Sequence, residues 1–397
     1  MRPLSPTAAS GGNSQRSVFF SITIIIILYL SFDPTFRPTI LLSFSLSPSM
    51  LSSHSSPKST NTHKSSTSEI KKETPSYGVE QCGRNFVDSF GTINQLPLCN
   101  DTLSSLHYGY RESYNGPFFP YNIYKQEICN YQWYDSAQIC DILQASNRLL
   151  IFIGDSLLRH IHQSLYILIS DNYRNGAVMT DLITDNDLKL GCQCDTQYND
   201  QKFEAQCRKY TYANYQGEQQ RFCPSWNNQY IVPSLDWYNG QIFKENEEYF
   251  TNILLQRIKI EFFNKAIIFL NIGLHNELLP DFVFPIVHQR IFQLLKEAEL
   301  DKTVHVLCIT VNTPQDNQPD EYKIRQGPKL NQQYNTELHK LCESYPNGRV
   351  FDISQITNNT VSHDGVHSSM DINLAITQIL VNYIVELDQL TPFQQLQ

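Results

Sequence analysis

The chain has 397 residues, a formal charge of −9 and a hydrophobic share of 41%. That length fits one large domain with appendages or two modest ones, and the apolar share supports a sizeable core. An acidic chain without a basic stripe argues against general nucleic-acid binding, and 17% charged residues is too few for a coiled coil or charge-rich disorder. Ten cysteines, an even number, favour an oxidising compartment.

Residues 17–32 (SVFFSITIIIILYLSF) carry no charge. As a helix that run would reach about 24 Å, short of the roughly 30 Å hydrocarbon core. Arg2 and Arg16 precede it, which keeps the N-terminus cytosolic. Two readings fit: a cleaved signal peptide giving a secreted protein, or a type II signal anchor within residues 1–42. The absence of a small-x-small cleavage site directly after the run favours the anchor. A start at Met50 would remove the segment altogether. Residues 43–76 are rich in Ser and Thr, with Pro48, Pro57 and Pro75, and read as a flexible stem. The triplets at Asn100 and Asn358 are N-glycosylation acceptors and suit a lumenal domain.

Residues 77–146 show little period and hold Cys82, Cys99, Cys129 and Cys140. They read as an irregular lead-in pinned by disulfides. The pattern then changes. Leu149–Ile153 is a short β-forming apolar run that stops at Gly154-Asp155-Ser156. Leu157, Leu158, Ile161, Leu165 and Leu168 follow at helical spacing. Further buried strands are expected at 266–272, 303–311 and 349–353, with helices at 246–264, 282–299, 330–344 and 370–387. Alternating strand and helix predicts an α/β domain over 147–390 with a parallel sheet covered on both faces. Residues 176–245 form an insertion without clear periodicity, and a segment that long outside the regular elements often serves the substrate. In such sheets the active site lies at the carboxyl ends of the strands.

Three features sit at those ends. Ser156 opens a helix after a buried strand, which would expose its hydroxyl and point its own N–H at an oxyanion. The bland alternative is that Asp155 or Ser156 simply caps the helix. Asp364 stands three residues before His367, close enough to accept from the imidazole, fix its tautomer and stabilise the imidazolium. The alternative is a helix-capping Asp and a solvated His. Gly273-Leu274-His275-Asn276 ends the 266–272 strand. There a close backbone approach at Gly273 and the side chains of His275 or Asn276 would serve an oxyanion, or the segment is an ordinary turn. Each feature alone is weak. Their order, nucleophile then oxyanion region then Asp and His, is more telling.

Those words, IFIGDSLLRH at 151–160 and DGVHSSMDINLAITQILVNYI at 364–384, resemble the GDSL/SGNH hydrolase superfamily. Within it they resemble the PC-esterase branch of trichome-birefringence-like glycan O-acetyltransferases, the sialate O-acetyltransferase catalytic domain and NXPE-type proteins. Cys129, Trp133 and Cys140 upstream match a Cys/Trp-bearing segment of that branch. The resemblance implies a three-layer α/β/α fold and a triad of Ser156, His367 and Asp364. It implies acyl chemistry, chiefly acetyl, on a glycan hydroxyl in the secretory pathway, with Golgi residence. No bound cofactor is implied, only an acetyl donor as co-substrate for transfer, supplied by a separate membrane protein. Hydrolysis by a carbohydrate O-acetyl esterase is the alternative, and a non-catalytic binding module on the same fold is the rival of another class. Arg159 matches the branch's Gly-Asp-Ser-x-x-Arg and would position substrate, order the site or pair with a carboxylate. Two departures stand out: the usual Gly-x-Asn-Asp is Gly273-Leu274-His275-Asn276 here, and Ser368 replaces the plant members' Trp after the histidine.

Cys192, Cys194, Cys207 and Cys223 could be read as a zinc site, but lumenal disulfides fit better. Cys308 is either a buried thiol or the partner of Cys342. His160 and His162 are expected to be structural or solvated. Trp226 and Trp237 would either stack on sugar rings or belong to the core.

Overall fold

The computed structural model describes residues 109–115, 120–126, 131–194, 196–199, 204–212, 219–233, 235–236, 246–358, 360, 362 and 364–389. The apolar run at 17–32, the stem, Asn100, Trp237 and His363 lie outside the described residues.

The lead-in is more regular than its sequence suggests. Strands β1 (Gly109–Asn115) and β2 (Pro120–Gln126) pair antiparallel, and helix α1 spans Ser136–Ser146. A capping box starts α1: the Asp135 carboxylate accepts from the Gln138 N–H, and the Gln138 side chain accepts from the Asp135 N–H. The irregular reading of 77–146 therefore fails over these elements. Their short apolar spacing hid them, whereas the Asp-x-x-Gln cap was readable.

The predicted strands form. β3 is Leu149–Gly154, β5 Ala266–Asn271, β6 Val304–Ile309 and β7 Gly348–Phe351. A two-residue β4, Leu235–Asp236, joins from the insertion, and the sheet order is β4-β3-β5-β6-β7, all parallel. Every residue of β3 and β5 is buried. Because neighbouring side chains point to opposite faces, both faces of the sheet are covered. The chain leaves β3 towards β4 on one side and reaches β5 on the other, so the strand order reverses at β3. In open α/β sheets, ligand sites lie at the carboxyl ends of the strands where the order reverses.

Helix α2 (Ser156–Ser170) follows β3, α3 (Gln289–Glu297) follows β5, and α4 (Asp320–Gln326) and α5 (Pro328–Glu343) follow β6. Helix α6 (Met370–Gln389) follows β7 and packs on α2 and α1. Leu150, Phe152 and Phe269 of the sheet meet Ile161 and Leu165 of α2 and Leu380, Val381 and Ile384 of α6. Among the described residues, α6 alone is long and apolar enough to cross a membrane, but 78% of its apolar window is buried in the fold. It is a core helix.

Disulfides join Cys140 to Cys223, Cys192 to Cys207 and Cys308 to Cys342, and Cys194 is disulfide-bonded as well. The thiol alternative for Cys308 falls, since the pair ties β6 to α5. Such bonds fit an oxidising compartment. The insertion contains short helices, including Asn186–Gly191 and Thr196–Asn199, as well as β4. Trp226 is 3% exposed and donates to the Cys140 carbonyl, so it belongs to the core rather than a sugar platform.

Candidate active site

The turn after β3 is built around Asp155. Its N–H donates to the Asn271 carbonyl at 3.1 Å, its Oδ1 accepts from the Leu157 N–H, and its Oδ2 accepts from the Leu274 N–H, each at 3.1 Å. Asp155 therefore caps α2 and also ties the end of β3 to the loop after β5. Burial pushes its carboxyl up, against the opposing pull of His275 and the backbone donors. Capping falls to Asp155, which leaves the neighbouring Ser156 as the first residue of α2. The first N–H groups of a helix have no intrahelical acceptor, so that of Ser156 lies at a positive helix end.

The partner of Ser156 comes from a loop over two hundred residues later. Ser362 and Ser368 bridge antiparallel, and the Ser362 hydroxyl donates to the His367 carbonyl at 2.7 Å, closing a small loop. Asp364 shapes its interior: Oδ1 accepts from the Val366 N–H at 3.0 Å and from the His367 N–H at 2.8 Å. Gly365, at φ 82°, lies so close to Gln318 that a Cβ would meet the Gln318 backbone nitrogen at 2.3 Å. Only glycine accepts both that φ and that approach. The loop is fastened to the end of β6, where Asn312 Nδ2 donates to the Val366 carbonyl at 2.9 Å and the Gln315 N–H donates to the Gly365 carbonyl at 2.8 Å.

These constraints bring Ser156, His367 and Asp364 into line. His367 Nδ1 lies 2.6 Å from Asp364 Oδ2, and His367 Nε2 lies 2.6 Å from Ser156 Oγ. A carboxylate at Nδ1 keeps the proton there, so Nε2 accepts from the serine hydroxyl. Burial acts to raise the Asp364 carboxyl, but the hydrogen bond and charge of His367 and the two backbone N–H groups outweigh it and hold it well below the usual carboxylate range. Ser156 is buried, while His367 and Asp364 keep 20% and 34% of their side-chain surface. The histidine is thus reachable from solvent and the attacking oxygen is sheltered.

The loop after β5 is strained. Gly273 has φ 141°, and Glu277 and Leu278 have φ 55° and 53°. Tyr334 of α5 packs under Gly273, where a Cβ would clash with its ring, and donates its hydroxyl to the Ile272 carbonyl. Four of the loop's N–H groups are committed: that of Leu274 to Asp155, those of Asn276 and Leu278 to the Gly273 carbonyl, and that of Leu279 to the Asn276 carbonyl. His275 is exposed and acts electrostatically on Asp155, and Asn276 is half-buried. Arg159 is buried on the same face of α2 as Ser156. Asn358 is exposed.

His160 and His162 are both buried rather than solvated. His160 lies against His367, with ring centroids 5.0 Å apart. His162 stacks on Phe152 of the sheet at 4.2 Å. The sequence reading also passed over Asp155 as a tie between strands, and Asn312 as the anchor of the histidine loop. An Asp just before a candidate nucleophile and an Asn at a strand's carboxyl end were the available signals.

No protein-family model matches the chain, and no curated protein matches it either. Among solved structures, one described as "a putative platelet activating factor from Streptococcus pneumonia" is similar over 63% of this chain and 92% of its own, at 14% identity and a TM-score of 0.31. A likeness at that level carries no argument about activity.

Proposed function

We propose that the protein is a serine acyltransferase or esterase of the SGNH type, with a three-layer α/β/α domain, that moves an acetyl group to or from a glycan hydroxyl through an acyl-enzyme. The observation that carries this reading is the unbroken relay from Asp364 through His367 to Ser156, with both hydrogen bonds at 2.6 Å. Ser156 Oγ attacks the ester carbonyl and passes its proton to His367 Nε2. Asp364 holds the imidazole in the required tautomer and stabilises the imidazolium. The oxyanion is held by the N–H of Ser156 at the head of α2, with Gly273, His275 and Asn276 as the facing loop. Collapse of the adduct sends the proton from His367 to the leaving hydroxyl. A second hydroxyl, from a sugar or from water, then gives up its proton to His367 and attacks the acyl-serine. The resemblance to the PC-esterase branch supports a glycan as partner and Arg159 as a substrate or site-ordering group. The disulfides support a secretory compartment, where the type II anchor, a Golgi address and a separate supplier of acetyl donor complete the proposal.

The test uses 4-nitrophenyl acetate and a fluorophosphonate probe on the full chain. A burst of nitrophenol and covalent labelling, both lost in Ser156→Ala, are expected. An unlabelled wild type without a burst would leave only the non-catalytic binding reading. Adding O-acetylated or free oligosaccharides then separates hydrolysis from transfer by the acetylated product.

A further inference from the structure

Helix α2 presents Ser156, Arg159, His160, Gln163 and Ser164 along one face, and all five are buried. A polar face is ordinarily left to water, because burying unpaired polar atoms costs free energy. Here Tyr198 of the insertion covers the part of it made by His160 and Ser164. The Tyr198 hydroxyl shares a hydrogen bond with the Ser164 hydroxyl at 2.8 Å, Ser164 Oγ donates to the His160 carbonyl at 3.0 Å, and the Tyr198 ring meets the His160 ring edge-on at 5.3 Å. The insertion segment carrying Tyr198 is closed by the disulfide from Cys192 to Cys207.

His160 is 2% exposed, and its Nδ1 has no hydrogen-bond partner. Its ring lies tilted at 49° against the ring of His367. The groups that act on it are His367, Arg159 and Arg208, in addition to Tyr198. Burial first, then the charges of His367, Arg159 and Arg208, push its imidazole well below the ordinary histidine range.

From this packing we propose that His160 is a positioning residue for His367: its flat, clamped ring forms the wall that holds the catalytic imidazole between Ser156 and Asp364. This rests on the acyl-enzyme reading above. The ring does the holding through its packing on the His367 ring, and Nδ1 takes no part, having no hydrogen-bond partner. An unsupported imidazole drifts from the line between Oγ and Oδ2, and displacement by about 1 Å can cost on the order of a hundredfold in rate.

His160→Phe keeps a flat neutral ring, and His160→Ala removes it. With 4-nitrophenyl acetate, the Ala variant is expected to lose between about tenfold and a hundredfold in kcat with little change in KM. The Phe variant should stay within about threefold of wild type. Independently of activity, the low-field proton resonance of His367 Nδ1–H, assigned by its loss in Asp364→Asn, should survive in the Phe variant and broaden in the Ala variant. His160→Leu, which fills volume without a flat face, carries the same expectation where Ala does not fold. A folded Ala or Leu variant with wild-type kcat and resonance overturns the proposal, as does a Phe variant as impaired as Ala. If the wild type forms no acyl-enzyme while the resonance still responds to His160, the function reading fails and the positioning role stands.

Discussion

His162 gives the sharpest quantitative expectation outside the chemistry. Its ring is fully buried, stacked on Phe152 with 4° between planes, and neither nitrogen has a partner. Burial alone lowers its pKa from 6.5 to about 3. The native state therefore binds no proton there at pH 5, whereas the unfolded chain binds almost one. Between those two pKa values the unfolded state holds more protons, so stability rises with pH. The contribution is whole above the unfolded value and is lost as pH falls towards 3. From about pH 7.5 to about pH 5 the linkage costs roughly 2 kcal/mol for this one ring. For a domain of this size that is roughly 4 to 8 °C in Tm. His162→Phe keeps the stacking and removes the titration. Urea unfolding of the disulfide-intact chain at both pH values, wild type against variant, isolates the effect because all other groups cancel. The variant should lose about 2 kcal/mol less than wild type on acidification. Equal losses would mean that the ring is already charged or reached by water in the native state, and would refute the reasoning. His288, also buried and lowered by burial to about 3 against an opposing backbone hydrogen bond at Val283, adds a second contribution of the same sign.

Two other outcomes follow from the site and its supports. Asp364→Asn would present an amide to His367 Nδ1 and favour the wrong tautomer. Ser156 acylation should slow by on the order of 10⁴-fold in stopped-flow burst kinetics, with the thermal midpoint much less affected. Replacing Cys192 and Cys207 together by Ser opens a loop spanning 15 residues. Denaturant unfolding should show a loss of about 3 kcal/mol, and acylation should fall with it because Tyr198 loses its frame.

The sheet was readable because its strands are buried on both faces. Continuous runs such as LLIFI and AIIFLN have no other stable place in a soluble α/β domain, and the turns that end them carry the site. Helix α1 was less readable, since a short helix packed on α2 and α6 needs only Ile139, Cys140 and Leu143 inside. The insertion was unreadable because its order comes from disulfides, from β4 joining an existing edge and from side-chain bonds to α2, none of which has a periodic signature. The residues of the relay were each identifiable by type and local spacing. Asp155 and Asn312 were not, because their role is to join segments distant in the chain.

By itself, then, the sequence determined which strands are central, that Ser156 begins a helix, and that Asp364 can reach His367, because these follow from local periodicity and from a spacing of three residues. The tertiary structure alone decided that His367 meets Ser156, that Tyr198 of the insertion packs on the polar face of α2, and that the His160 ring lies against the imidazole. Those contacts depend on how loops after β3, β5, β6 and β7 converge at one end of a parallel sheet. Backbone hydrogen bonds and a glycine contact between distant segments fix that convergence, and no local pattern encodes it.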